Sequence, residues 1–153
     1  MRMLPLSLLL LAVGVAIVGA RAAMAADPDP CVLVSQAEAE RALGKATTRV
    51  QPKVGGSGSC VYQASGGLDR VTITLYPEGD ARYDERLDDA HHTWKATAVP
   101  VAELGDRAAW VGRQLFVGRK PHLLAITIVS RESADDSLKH AKDLARTALG
   151  RLP

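Results

Sequence analysis

Cys31 and Cys60 are the only two cysteines in a chain of 153 residues, and no other feature limits the fold as much. If they bond, they close a loop of about 30 residues, which in the chain-entropy view contributes roughly 3 to 4 kcal/mol. They flank a short helix pattern (Ser35 to Leu43) and a glycine-serine loop (Gly55 to Ser59), so the bond would dock that helix beside the strand entered at Cys60. Metal ligation is the competing use of two thiols. It needs spaced partners, and here there is no C-x-x-C and no histidine near either cysteine in sequence. A disulfide between Cys31 and Cys60 is therefore expected.

That expectation requires an oxidising compartment, and the amino terminus is consistent with one. Met1-Arg2-Met3 is followed by an apolar run from Leu4 to Ala20, then Arg21 and the small-x-small tripeptide Ala23-Met24-Ala25. This is the pattern of a secretory signal cleaved after Ala25. It divides the chain into a signal peptide, 1–25, and a single domain, 26–153, long enough for one core. A retained membrane anchor is the alternative, because Leu4 to Ala20 is just long enough to span. Arg2 and Arg21 leave with the signal, so 19 Lys+Arg fall to 17 against 17 Asp+Glu. A mature domain without positive excess lacks the electrostatic footprint of nucleic-acid binding. Pro28-Asp29-Pro30 precede Cys31 where a lipid-attachment box would need aliphatic and small residues.

Along the chain, Ser35 with Glu38 forms an S-x-x-E capping box and Gly44 is the expected helix terminator. Thr47 to Val54, broken by Pro52, is predicted to be an edge strand. The glycine-serine loop lacks the Gly-Lys-Ser/Thr ending and the following helix of a phosphate loop, so it is predicted to be a hairpin loop. Cys60 to Ser65 and Arg70 to Tyr76 form a hairpin across Gly66-Gly67, with Val71, Ile73 and Leu75 on one face. Asp80 to about Thr97 is predicted to be the main helix, its apolar stripe Tyr83, Leu87, Ala90 and Trp94 covering that face. Three strands follow, Ala108 to Val111, Leu115 to Gly118 and Leu123 to Val129, joined by tight turns and therefore antiparallel. A last helix starts at Ser133 and carries Leu138, Ala141, Ala145, Ala148, Leu149 and Leu152 on one face. The fold class is α+β: an antiparallel sheet of about five to seven strands with three helices on its apolar face, an α/β sandwich. Each of the first two helices leads into a strand group, which hints at a duplicated layout.

This order of motifs resembles a family of small exported two-cysteine proteins of actinobacterial cell envelopes, mostly lipoproteins of unknown function and akin to the extracellular sensor domains of some mycobacterial kinases. The residues that carry the resemblance are the early cysteine before a capped helix ending in Leu43-Gly44, Cys60-Val61-Tyr62 entering a strand, and the Leu104-Gly105-Asp106-Arg107-Ala108 turn before paired strands and a terminal helix. The resemblance implies an α/β sandwich similar to the photosystem extrinsic protein group, and binding in preference to catalysis. The chain departs from it in lacking the lipid-attachment box.

No catalytic, cofactor or metal motif stands out. His91-His92 are adjacent, so they point about 100° apart on a helix and do not chelate one ion well; His122 and His140 are isolated. The G-x-S-x-G frame is missing, and the carboxylates from Asp84 to Asp89 read as a solvated helix face. Aromatic residues are few. Tyr62 and Tyr76, with their strand neighbours, are the candidate binding surface on the uncovered side of the sheet; the alternative is that they pack in the core. The expectation is a secreted or periplasmic, non-catalytic binding or accessory protein of the envelope, without a cofactor. Its partner would be an envelope protein or a small apolar ligand. The other class kept open is a small enzyme or metal handler using histidines brought together by folding.

Overall fold

A computed structural model describes residues 28–50 and 58–153. The predicted signal peptide, most of the glycine-serine loop and the Pro52 end of the predicted edge strand lie outside the described residues. The elements run α1 (Pro30–Leu33), α2 (Gln36–Leu43), β1 (Thr47–Val50), β2 (Gly58–Ala64), β3 (Arg70–Tyr76), a 3-10 turn (Gly79–Arg82) leading into α3 (Tyr83–Trp94), β4 (Val99–Pro100), β5 (Arg107–Val111), β6 (Gln114–Arg119), β7 (His122–Val129) and α4 (Ala134–Arg151). The strands form one seven-stranded sheet in the order β1-β2-β3-β7-β6-β5-β4, with antiparallel neighbours throughout. The α+β class expected from the sequence is the fold observed, with three substantial helices and the one-turn α1.

Local chemistry explains the helix ends. Ser35 accepts from the Glu38 backbone N–H while the Glu38 carboxylate accepts from the Ser35 N–H, the reciprocal pair that satisfies two orphan donors. Gly44 ends α2 in the left-handed conformation at φ 63°. Ser133 caps α4 by accepting from the Asp136 N–H. The main helix is shorter than its periodicity suggests: its first turn is 3-10, and Lys95 adopts a left-handed φ of 53° after Trp94.

Helices cover both faces of the sheet, which corrects the expectation of a single apolar face. Cys60 and Tyr62 from β2, Val71, Ile73 and Leu75 from β3, and Leu124, Ile126 and Ile128 from β7 pack in one core with α1, α2 and α4. The stripe of α3 faces the other way. Tyr83 and Ala90, with part of Leu87 and Trp94, pack on Val111, Phe116, Leu123 and Ala125. The predicted stripe is correct, but it does not cover Val71, Ile73 and Leu75. The reason lies in β7, whose run Leu123-Leu124-Ala125-Ile126 is apolar on both faces and needs cover on both.

The Cys31–Cys60 disulfide is present, with Cα atoms 5.1 Å apart. It ties α1 to β2, and the Tyr62 hydroxyl reinforces the join by donating to the Val34 carbonyl at 2.6 Å. At the far end of the same layer, Arg151 donates to both Glu38 carboxylate oxygens at 2.7 Å and to the Leu33 carbonyl at 2.9 Å, closing the last turn of α4 onto α1 and α2.

The duplicated layout holds for the strands only. The runs β1-β2-β3 and β5-β6-β7 meet where β3 pairs β7, yet α2 and α3, which precede them, lie on opposite faces. Among the described residues no helix is long and apolar enough to cross a membrane.

Candidate functional site

The α3 side of the sheet is covered unevenly. Helix α3 packs over β5 and β6, and the register carries rows of small polar side chains out from beneath it toward β1. One row runs Gln114, Thr127, Thr72, Val61 and Val50 across β6, β7, β3, β2 and β1. The next includes Thr74 and Ser59, whose hydroxyls bond each other at 3.0 Å. A third carries Val129, Arg70, Gln63 and Thr48. Thr72, Thr127, Val61, Ser59 and Gln63 are partly exposed, while Thr48, Val50 and Arg70 are exposed. Among the described residues no strand contains an aspartate or glutamate. This half-face is therefore an array of hydroxyl, amide and aliphatic groups, with Arg70 as its charge.

Its border with α3 is built from Tyr76, Arg86, Trp94 and Gln114. Tyr76 stacks on Phe116 with centroids 6.4 Å apart, and the Arg86 guanidinium lies 4.7 Å above the Tyr76 ring. Arg86 is held there by Glu78 at 2.7 Å and Asp89 at 3.4 Å, while its buried Nε has no partner. The Trp94 indole N–H donates to the Gln114 side chain at 3.4 Å. Burial raises the Tyr76 phenol above its ordinary value, so at neutral pH it is a neutral hydroxyl, able to donate or accept.

The two tyrosines expected to share a binding surface are on opposite faces. Tyr76 lies at the border just described. Tyr62 is 2% exposed in the other core, its hydroxyl committed to Val34. A one-residue alternation separates them: β2 pairs Tyr62 with Val71, which points with the core residues of β3, whereas Tyr76 points with Thr72 and Thr74. The partly exposed neighbours of Tyr76, not Tyr62, make up the open surface. The sequence signal for them was present in the Thr72 and Thr74 face of β3 and needed Thr127 of β7 beside it, a pairing 55 residues away.

The histidines do not gather. His91 and His92 are exposed on α3 with rings at 84° to each other, and their Nδ1 atoms lie 2.8 Å from the Ala96 and Asp88 carbonyls. His122 begins β7, and His140 lies on α4, across the sheet from α3. Among the described residues no group of three or more His, Cys, Asp or Glu side chains is arranged to hold a metal ion. Folding does bring Ser130, Ser137, Glu132 and His140 to the β7–α4 junction. The His140 Nε2 lies 3.7 Å from Glu132, but the two serine hydroxyls face each other at 3.4 Å and Ser137 is fully buried.

The Leu104-Gly105-Asp106-Arg107-Ala108 turn is a clasp. Arg107 donates to the Asp80 carboxylate at 3.1 Å and to the Asp80 carbonyl at 2.8 Å, and its guanidinium stacks 4.1 Å from the Tyr83 ring. Asp80 can approach because residue 118 is glycine: a Cβ there would lie 2.2 Å from its Oδ1. Asp106 accepts from the Lys120 backbone N–H at 2.9 Å. These bonds fix the start of α3 to β5 and β6, so the turn serves the scaffold that holds the border residues.

Comparison of the chain with protein-family models, with curated proteins and with solved structures gives no match.

Proposed function

We propose that this chain is an exported, non-catalytic binding or accessory protein of the cell envelope, related to the two-cysteine envelope proteins it resembles, and that it docks a partner on the open half of its sheet. One observation carries the reading: the seven-stranded sheet leaves β1, β2, most of β3 and the Thr127 end of β7 without a helix on one face among the described residues, while the opposite face is covered by α1, α2 and α4. A bare face in the middle of a sheet presents fixed side chains at fixed spacing, which suits recognition. The disulfide favours an oxidising compartment. A metal-handling or enzymatic alternative would need a site other than a histidine cluster, since His91 and His92 lie on α3 and His140 on α4, across the sheet, and no group of three or more metal-ligating side chains occurs among the described residues.

Photocrosslinking tests the reading. A crosslinking residue at Thr72 or Thr127 is expected to capture a discrete envelope partner, and the same residue at Lys139 on the outer side of α4 is not. Equal capture from all three positions, or capture from Lys139 alone, would reject the open face as the docking surface.

A further inference from the structure

On the opposite side of the molecule, α2 and α4 enclose a cleft of about 180 Å³ lined by Glu38, Arg41, Ala42, His140, Asp143, Leu144 and Thr147. We propose that it binds a small organic monoanion with an apolar body, of about the size of benzoate. Its floor is apolar and buried: Ala42 is 6% exposed and Leu144 4%. Ala42 comes from α2 and Leu144 from α4, so both helices supply the floor. In size, a cavity of about 150 Å³ is enough for a benzene ring.

Charge decides the sign of the ligand. Both carboxylates of the lining are already neutralised, Glu38 by the two-pronged contact with Arg151 and Asp143 by Arg146 at 2.9 Å. His140 has Glu132 beside it at 3.7 Å. Arg41 is different. Its only bond is from Nε to the Ala37 carbonyl at 3.3 Å, which leaves both terminal nitrogens free of any carboxylate among the described residues. A planar guanidinium with two parallel N–H groups open at the rim of an apolar hollow matches a carboxylate bidentately. The Thr147 hydroxyl donates back to the Asp143 carbonyl at 3.1 Å and so lends mainly its methyl group to the wall. The cleft lies across the sheet from the open half-face, so this site and the docking surface stand independently.

Methyl NMR of Ala42, Leu144 and Thr147 during benzoate titration tests the proposal. Saturable shifts confined to the methyls of these three residues are expected, with neutral benzamide at least about tenfold weaker. Arg41→Gln is expected to weaken benzoate about tenfold, and Lys139→Gln, which removes one charge from α4 outside the cleft, to leave it within about twofold. Should Arg41→Gln misfold, Arg41→Lys carries the same test, because it keeps the charge and loses the fork; weakening is again expected. Shifts that never saturate, equal binding of benzamide, or equal losses in the Arg41 and Lys139 variants would each overturn the site.

Discussion

Neutralising Glu38 should lower the stability of the protein at neutral pH and leave it little changed in acid. In the folded chain its carboxyl is held down at about 2 from an ordinary 4.5, first by the Arg151 side chain and then by the Ser35 N–H and hydroxyl, against burial, which pushes the other way. The distance between the two values sets a ceiling of about 3 kcal/mol. Arg151 is 41% exposed and Glu38 15%, so water screens the pair and about 1 to 2 kcal/mol is the working figure. The sign follows from the direction. A carboxyl whose folded pKa lies below its unfolded value contributes fully above about 4.5, and the contribution drains away as pH falls toward 2. Urea midpoints of wild type and Glu38→Gln should therefore differ by about 1 to 2 kcal/mol at pH 7 and converge near pH 2. Arg151→Met should cost a similar amount at pH 7, and the double variant little more than either single one. Parallel pH curves for wild type and Glu38→Gln, or additive losses in the double variant, would show that the two ends of the helical layer are not joined through this contact.

Trp94→Ala is expected to cost about 2 to 4 kcal/mol in a denaturant melt, less than for a fully buried tryptophan because the side chain is partly exposed; a change within about 0.5 kcal/mol would mean that it does not fill the α3 interface. Its packing against residue 112 is close, since a Cβ there would lie 2.5 Å from the Trp94 Cβ. Intact-mass analysis of protein exported under oxidising conditions should show no free thiol, and the Cys31→Ser, Cys60→Ser double variant should lose about 2 to 5 kcal/mol; two free thiols in wild type would refute the bond.

Much of this fold could be read directly from residues because the signals were local. Ser35 and Glu38 are three residues apart, and their capping box forms as written. The β2–β3 hairpin closes across its glycines, and β5, β6 and β7 follow from short connections and period-two patterns. The cysteine pairing needed only the count of two. The α3 stripe was legible for the same reason, since 3.6-residue periodicity is a property of one segment.

What the helix stripe meets is not local. The sheet face chosen by α3 depends on residues about 20 positions away, as Trp94 and Gln114 are, and the pairing of β3 with β7 on residues more than 40 positions apart; either face of β7 could have accepted the stripe, since Leu123 and Ala125 line one and Leu124, Ile126 and Ile128 the other. The sequence alone therefore determined which residues of α3 are buried, while the tertiary structure decided against what. The same holds for the candidate surfaces. Alternation made Tyr62 and Tyr76 face residues of some kind, but only the sheet register and the helices that cover each side put Tyr62 in the core and left Thr72 and Thr127 in the open. The α2–α4 cleft has no sequence signature at all, because its lining is shared between helices about a hundred residues apart.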